Sequence, residues 1–237
     1  MPPLLIIQAG TPPDEIRMPF GDLPAWFCHA LGTSIDSVQV VRVFDGDPLP
    51  EPDATRLAII TGSWAMVTDR LPWSERAAQW IRDAMAIDSP LLGVCYGHQL
   101  ISYALGGHVD YHPGGRELGC KTIQLLPTAQ DDPLLKFWPA HFKAHLTHQQ
   151  SVIELPPGAR ALAVSDHDPH QIVRYGPRAI STQFHPEFTP DISAACIRRR
   201  AAALQQEGKD LDAMLAAVDE TPEASRLLTR FAEMVLS

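Results

Sequence analysis

Four short apolar runs mark the first hundred positions: Leu4 to Gln8, Val38 to Phe44, Leu57 to Ile60 and Leu91 to Val94. They are rich in Ile, Val and Leu and lack the polar alternation of a half-exposed strand, so they predict strands covered on both faces. Between the third and fourth runs the period changes. Trp73, Ala77, Trp80, Ile81 and Ala84 fall on one face of a helix over residues 73–85. After Val94, Leu100, Ile101, Ala104 and Leu105 continue at helical intervals until Gly106-Gly107 stops the helix. Strand, helix, strand, helix predicts a parallel sheet.

The second half reads differently. Lys121 to Leu126, Arg160 to Val164, Gln171 to Tyr175 and Arg178 to Phe184 are strand candidates separated by Pro and Gly instead of helices, which predicts added antiparallel strands. From Pro190 onward, Ala-rich helical stretches run to Ser237, broken at Gly208 and at Thr221-Pro222. No repeat or linker interrupts the chain. The expected organisation is an α/β domain over residues 1–190, with a mostly parallel central sheet flanked by helices. A helical C-terminal extension, residues 191–237, should pack on the same domain.

With 45% apolar residues among 237, the chain can bury a continuous core. Its formal charge of -9 argues against nucleic acid as a partner, since phosphate binding draws on a surplus of Lys and Arg. Small molecules or proteins are the expected partners. No apolar run reaches membrane-spanning length, and Met-Pro-Pro followed by Leu4-Leu5-Ile6-Ile7 lacks the basic start and long apolar core of a secretory signal. Cys28, Cys95, Cys120 and Cys196 are scattered and form no C-x-x-C pair, which points to a reducing, cytoplasmic setting without a disulfide scaffold. His141, His145 and His148 have spacings found in metal sites, but no Glu or Cys stands at ligand intervals and the segment also reads as a strand. No metal or organic cofactor is expected. Trp73 and Trp80 share a helix face and are expected in the core, and Arg198-Arg199-Arg200 is read as a solvated helix face.

Chemistry concentrates at two places. Gly93-Val94-Cys95-Tyr96-Gly97 sits where the fourth strand turns into a helix. A sulfur at a helix N-terminus feels the partial positive charge of unpaired N–H groups, which favours thiolate over thiol. The flanking glycines permit the tight corner of a nucleophile elbow. Taken alone, this pattern also fits a buried cysteine at a close-packed corner. The second place is His185-Pro186-Glu187. Two residues apart in extended backbone, His185 and Glu187 face the same way, so the carboxylate can hold one imidazole nitrogen while the other exchanges a proton with a thiol. The two elements together suggest a Cys-His-Glu triad.

Gly93-Val94-Cys95-Tyr96-Gly97-His98-Gln99 and His185-Pro186-Glu187 resemble the G-x-C-x-G-x-Q elbow and H-P-E signature of the class I glutamine amidotransferase family, in matching order and separation. The chain is most similar to stand-alone members resembling the glutaminase domain of GMP synthases. The resemblance implies a flavodoxin-like α/β fold and hydrolysis of a γ-glutamyl amide. Cys95 would form a γ-glutamyl thioester while His185, oriented by Glu187, moves the proton. By the same resemblance, the N–H groups of Gly62 and Tyr96 would form an oxyanion hole, and Gln99, Gln149 and Gln150 would contribute to substrate binding. Glu117 would lie near the site but outside the catalytic set. Thr61-Gly62-Ser63 replaces the Gly-Gly-Pro of many members, and Gln149 replaces a commoner Gly or Asp.

Three functions follow from these expectations. The first is glutamine hydrolysis feeding ammonia to a synthase subunit, which would be a separate partner because the chain carries no nucleotide-binding signature. The second is free-standing hydrolysis of γ-glutamyl peptides or γ-glutamyl amines, where the acidic chain is compatible with a cationic leaving group such as a polyamine. The third is a non-catalytic regulator, against which the complete triad argues.

Overall fold

The computed structural model describes residues 4–236. In chain order the elements are β1 (Leu4–Gln8), α1 (Asp14–Phe20), α2 (Leu23–Leu31), β2 (Val38–Arg42), β3 (Leu57–Ile60), α3 (Pro72–Ala86), β4 (Leu91–Val94) and α4 (Tyr96–Ala104). They continue with β5 (His108–Tyr111), β6 (Glu117–Leu125), β7 (His141–His148), β8 (Gln150–Glu154), β9 (Arg160–Val164), β10 (Ile172–Gly176) and β11 (Ala179–Thr182). Four helices close the chain: α5 (Pro190–Arg199), α6 (Ala201–Gln206), α7 (Leu211–Ala216) and α8 (Pro222–Leu236).

One sheet has the order β2-β1-β3-β4-β11-β10-β9-β6-β7. From β2 to β11 the neighbours run parallel, and from β11 to β7 they run antiparallel. The four apolar runs, with β11, form the parallel part: β1, β3 and β4 are buried along their whole length, while the edge strand β2 is half-exposed except at Val41. β5 and β8 make a separate two-stranded ribbon.

Successive side chains of a strand face opposite ways, so each apolar strand feeds two cores. Ile6, Ile59, Leu92 and Val94 pack on one face with Phe27 of α2 and with Leu227, Leu228 and Phe231 of α8. Leu5, Ile7, Ala58, Ile60 and Leu91 pack on the other, with Ala77, Trp80 and Ile81 of α3 and Leu100 and Ile101 of α4. Trp80 thus lies in the core, and Trp73 packs partly buried against it. A third apolar cluster joins Ile16, Leu23 and Trp26 to Leu118, Phe188, Ile192 and Ile197 at the carboxyl edge of the parallel strands. The C-terminal helices are therefore built into the fold at two points: α8 under the sheet and α5 at its edge.

In open α/β sheets, ligands bind beyond the carboxyl ends of the parallel strands. Here β3 ends before Gly62, β4 before Cys95 and β11 shortly before His185, so adjacent strands deliver these residues to one edge.

Candidate active site

Cys95 connects β4 to α4 with φ 52° and ψ -100°, a backbone conformation that L residues seldom adopt. Such strain costs about 1–3 kcal/mol and persists only where surrounding structure imposes it. The surroundings do so here. The Cys95 N–H donates to the Thr182 carbonyl of β11 at 2.9 Å, and its carbonyl accepts from Gln99 N–H at 3.1 Å. The glycines let the elements close around the corner: a Cβ on Gly93 would lie 2.6 Å from the Gly97 carbonyl group, and one on Gly97 would strike the Ile60 carbonyl oxygen of β3. A side chain at either position would push α4 off the sheet.

Cys95 is 5% exposed, and its Sγ approaches the Thr147 carbonyl oxygen at 3.8 Å. His185 follows β11 and is pinned to β7, its N–H donating to the His145 carbonyl at 2.8 Å. Its Nδ1 and Glu187 Oε1 are 2.8 Å apart, within a pair of almost fully buried side chains. The ring stacks on Phe188 with centroids 4.0 Å apart, and Phe188 is braced edge-on by Trp26 at 5.5 Å. His185 Nε2 is buried and has no nitrogen or oxygen partner among the described residues, with the Cys95 sulfur as its polar neighbour. A Cβ on Gly62 would lie 3.1 Å from His185 Cε1 and 3.7 Å from Cys95 Cβ, so the backbone here runs close to both side chains and leaves no room for a larger residue. The N–H groups of Gly62 and Tyr96 have no backbone acceptor among the described residues.

Burial by itself would disfavour a charge on His185. Glu187 beside it, reinforced by the Cys95 sulfur, outweighs that cost and holds the imidazole pKa up at about 10. His145, buried next to it, is the reverse case, with desolvation and the His185 charge pulling it down to about 4. His98 on α4 is also held neutral by burial, down at about 3, with Nδ1 2.7 Å from Ser181 Oγ.

Cys95, Tyr96, Gly62, Gln99, Gln149, Gln150 and His185 all line one pocket. The three glutamines reach it in different ways. Gln99 Nε2 donates to the Gln150 carbonyl at 2.6 Å and to Gln183 Oε1 at 3.0 Å, which ties α4 to the start of β8. Gln150 Oε1 accepts from Val67 N–H at 3.0 Å and its Nε2 donates to Thr68 Oγ1 at 2.6 Å. Both carboxamides are thus engaged inside the protein, where they fix the pocket walls. The Gln149 carbonyl accepts from His112 N–H at 3.0 Å, and its side chain makes no hydrogen bond among the described residues.

The segment between β7 and β8 has a second buried acid-imidazole pair behind it. His148 Nε2 is 3.0 Å from Glu117 Oε2, and its Nδ1 is 3.0 Å from the Gln150 carbonyl. Glu117 also accepts from Gln171 Nε2 at 2.8 Å. Burial would raise the Glu117 pKa, but the His148 contact prevails and the net shift is downward. His141, His145 and His148 are strand residues of β7, and no cluster among the described residues could hold a metal ion.

Thr147, His148 and Phe188 line the pocket from the same segments as Gln149, Gln150 and His185, whereas Arg116 and Arg200 reach it without any local sequence signal. Arg200 departs from expectation in particular: Arg198 and Arg199 are solvent-exposed, while Arg200 turns at the α5–α6 junction onto the pocket wall.

Residues 28–201 match the profile of the family described as glutamine amidotransferase class-I. The chain belongs to that family. Among relatives of this amidotransferase-like hydrolase, γ-glutamyl peptidase 4 of Arabidopsis thaliana is 28% identical over 192 residues, covering 79% of this chain and 76% of the relative. The glutamine-hydrolysing GMP synthase of Pyrobaculum aerophilum is 37% identical over 102 residues, 43% of this chain and only 19% of the synthase. A solved glutamine amidotransferase from Thermotoga maritima superposes with a TM-score of 0.78 at 20% identity, covering 100% of this chain and 99% of that one. That last likeness concerns the fold.

Proposed function

We propose that this family member hydrolyses a γ-glutamyl amide through a covalent thioester on Cys95. One observation carries the reading: a backbone-strained cysteine at a strand-helix corner shares a buried pocket with a His185–Glu187 pair, and the Gly62 backbone runs close to Cys95 and His185. The Cys95 thiolate attacks the substrate Cδ, and the carbonyl oxygen gathers negative charge between the Gly62 and Tyr96 N–H groups. Each such donor contributes about 3 kcal/mol to the barrier reduction. Collapse of the adduct breaks the C–N bond, and His185 Nε2 gives its proton to the departing nitrogen. Water then attacks the thioester, His185 takes up a proton, and Cys95 leaves as thiolate with glutamate released. The balance is γ-glutamyl amide plus water giving glutamate plus amine.

Phe188 and Glu187 keep the imidazole in one orientation, so its proton is delivered along one line. Glu117, His148 and Gln99 act at a distance from the reacting atoms, by holding the backbone of residues 147–150 against the pocket.

Free-standing hydrolysis is favoured over service to a synthase because the peptidase relative matches along most of both chains, whereas the synthase match is confined to a fraction of each. Ammonia delivery to a synthase partner is the second reading, supported by that shorter match. The test is a panel of glutamine, γ-glutamyl dipeptides and γ-glutamyl amines, with purified protein and its Cys95→Ala variant. Turnover of γ-glutamyl compounds that vanishes in the variant supports the proposal; inactivity on all of them refutes it. Glutamine turnover that rises only when a synthase is added would favour the second reading.

A further inference from the structure

Arg200 stands at the α5–α6 junction, half-buried on the wall of the active-site pocket. Its guanidinium has no hydrogen bond or ion pair among the described residues. The carboxylates of the region are taken. Glu207 Oε1 holds Arg116 Nε at 2.8 Å, and Glu15 holds the neighbouring Arg199 at 2.8 Å. Glu117 Oε2 stands 3.0 Å from His148 Nε2 and accepts from Gln171 Nε2 at 2.8 Å. A guanidinium partly withdrawn from water and left without an anion calls for one from the occupant of the pocket.

The strands fix which end of a substrate supplies it. In the tetrahedral adduct the oxygen faces the Gly62 and Tyr96 N–H groups and the leaving nitrogen faces His185, so the glutamyl chain takes the remaining direction. Thr147, whose carbonyl oxygen lies 3.8 Å from Cys95 Sγ, begins the wall on that side, and Gln149 and Gln150 continue it. β6 and β7 pair with Leu118 opposite Thr147 and Glu117 opposite His148, which brings Arg116 alongside Gln149. Arg116, Gln149, Glu207 and Lys209 line a common hollow next to the pocket. Arg200 belongs to this group: of the charges acting on it the Arg116 cation is the strongest, and Glu207 acts on it as well. The set lies toward residues 147–150, where the glutamyl half ends in its α-carboxylate, remote from the scissile amide. We infer that Arg200 binds the α-carboxylate of the glutamyl half, so that compounds with a free γ-glutamyl α-carboxylate are accepted and glutamine whose α-carboxyl is tied up in a peptide bond is refused. This inference rests on the proposed thioester chemistry and adds a specificity residue supplied by the C-terminal helices.

The experiment compares γ-glutamylglycine with its α-carboxamide analogue, which keeps the same scissile amide and the same leaving group, in wild type, Arg200→Gln and Arg200→Lys. A charge-assisted, partly desolvated carboxylate contact corresponds to about 10- to 100-fold in kcat/KM. Wild type is expected to prefer the free α-carboxylate by that factor, mainly through KM. The ratio should fall to near one in Arg200→Gln and recover in part in Arg200→Lys. Because the readout is a ratio within each protein, a general loss of activity does not imitate it. Equal rates on both substrates in wild type, or an unchanged preference in Arg200→Gln, overturn the inference while Cys95-dependent turnover leaves the thioester chemistry standing. Absence of Cys95-dependent turnover on either substrate overturns both.

Discussion

Replacing Glu187 with Gln keeps the shape of the H-P-E turn and the hydrogen-bonding reach to His185 Nδ1 but removes the carboxylate charge. In the native pocket that charge, with help from Cys95, lifts the imidazole pKa from 6.5 to about 10 against the cost of burial. A shift of that size corresponds to about 5 kcal/mol favouring the imidazolium, at about 1.4 kcal/mol per unit. With the carboxylate gone, only the Cys95 sulfur still opposes burial, which by itself pulls an imidazole down, as at His145, held at about 4 beside it. His185 must be protonated to release the leaving nitrogen, so kcat/KM should hold up to alkaline pH in the wild type and fall as pH rises through the His185 value. In Glu187→Gln this alkaline limb should move down by at least two pH units, and kcat/KM at pH 7.5 should drop by about 100- to 10,000-fold, chiefly because the amide no longer fixes the imidazole tautomer or stabilises the imidazolium. The assay is the pH profile of γ-glutamyl amide hydrolysis, with circular dichroism to show that the variant is folded. A variant whose limb stays in place, or whose activity falls less than tenfold, would refute the assignment of Glu187 as the source of the imidazolium.

Gly97→Ala should destabilise the fold by roughly 2–3 kcal/mol, since its Cβ meets the Ile60 backbone instead of a side chain that could step aside; chemical denaturation reads this. Asp132→Asn should cost roughly 3–5 kcal/mol, because Asp132 is 0% exposed and accepts two 2.9 Å bonds from Arg174, whose buried charge would lose its counter-ion. Glu117 has a native pKa below its ordinary 4.5, so its stabilising contribution is complete above that value and is lost as pH falls through the lowered one. The stability gap between wild type and Glu117→Gln should therefore be widest near neutral pH and close in acid, and a gap independent of pH would contradict the Glu117–His148 account.

The parallel half of the sheet was readable because β1, β3 and β4 are buried on both faces and carry uninterrupted apolar runs. The predicted strand from Val38 to Phe44 ends early, at Arg42, because residues 43–45 form a single 3-10 turn closed by Gly46 at φ 94°. Helices α1 and α2 were not anticipated. Pro19 lies inside α1, and Pro24 reads as a breaker but sits in the first turn of α2, where a missing N–H costs nothing. β6 begins at Glu117, earlier than the apolar pattern from Lys121 suggests, because pairing with β7 holds Glu117 against His148. At the C-terminus, Gly208 and Thr221-Pro222 do separate helices, but the α5–α6 break at Arg200 carries neither Gly nor Pro. Cys95 and His185 on the pocket wall and Glu187 behind the imidazole stand in short motifs whose geometry is local, so the sequence marks them as candidates. Arg200 carries no such mark, since only the return of the C-terminal helices to the carboxyl edge of the sheet places it there.

The covalent intermediate is the most direct test of the central claim. Rapid acid quench of the protein with a γ-glutamyl amide, followed by proteolysis and peptide mass spectrometry, should find a γ-glutamyl group on the peptide containing Cys95. It should be absent from those of Cys28, Cys120 and Cys196, and should fail to form in His185→Asn, which lacks the acid that releases the leaving nitrogen. Turnover without any label on Cys95, or turnover that survives Cys95→Ala, would contradict the account.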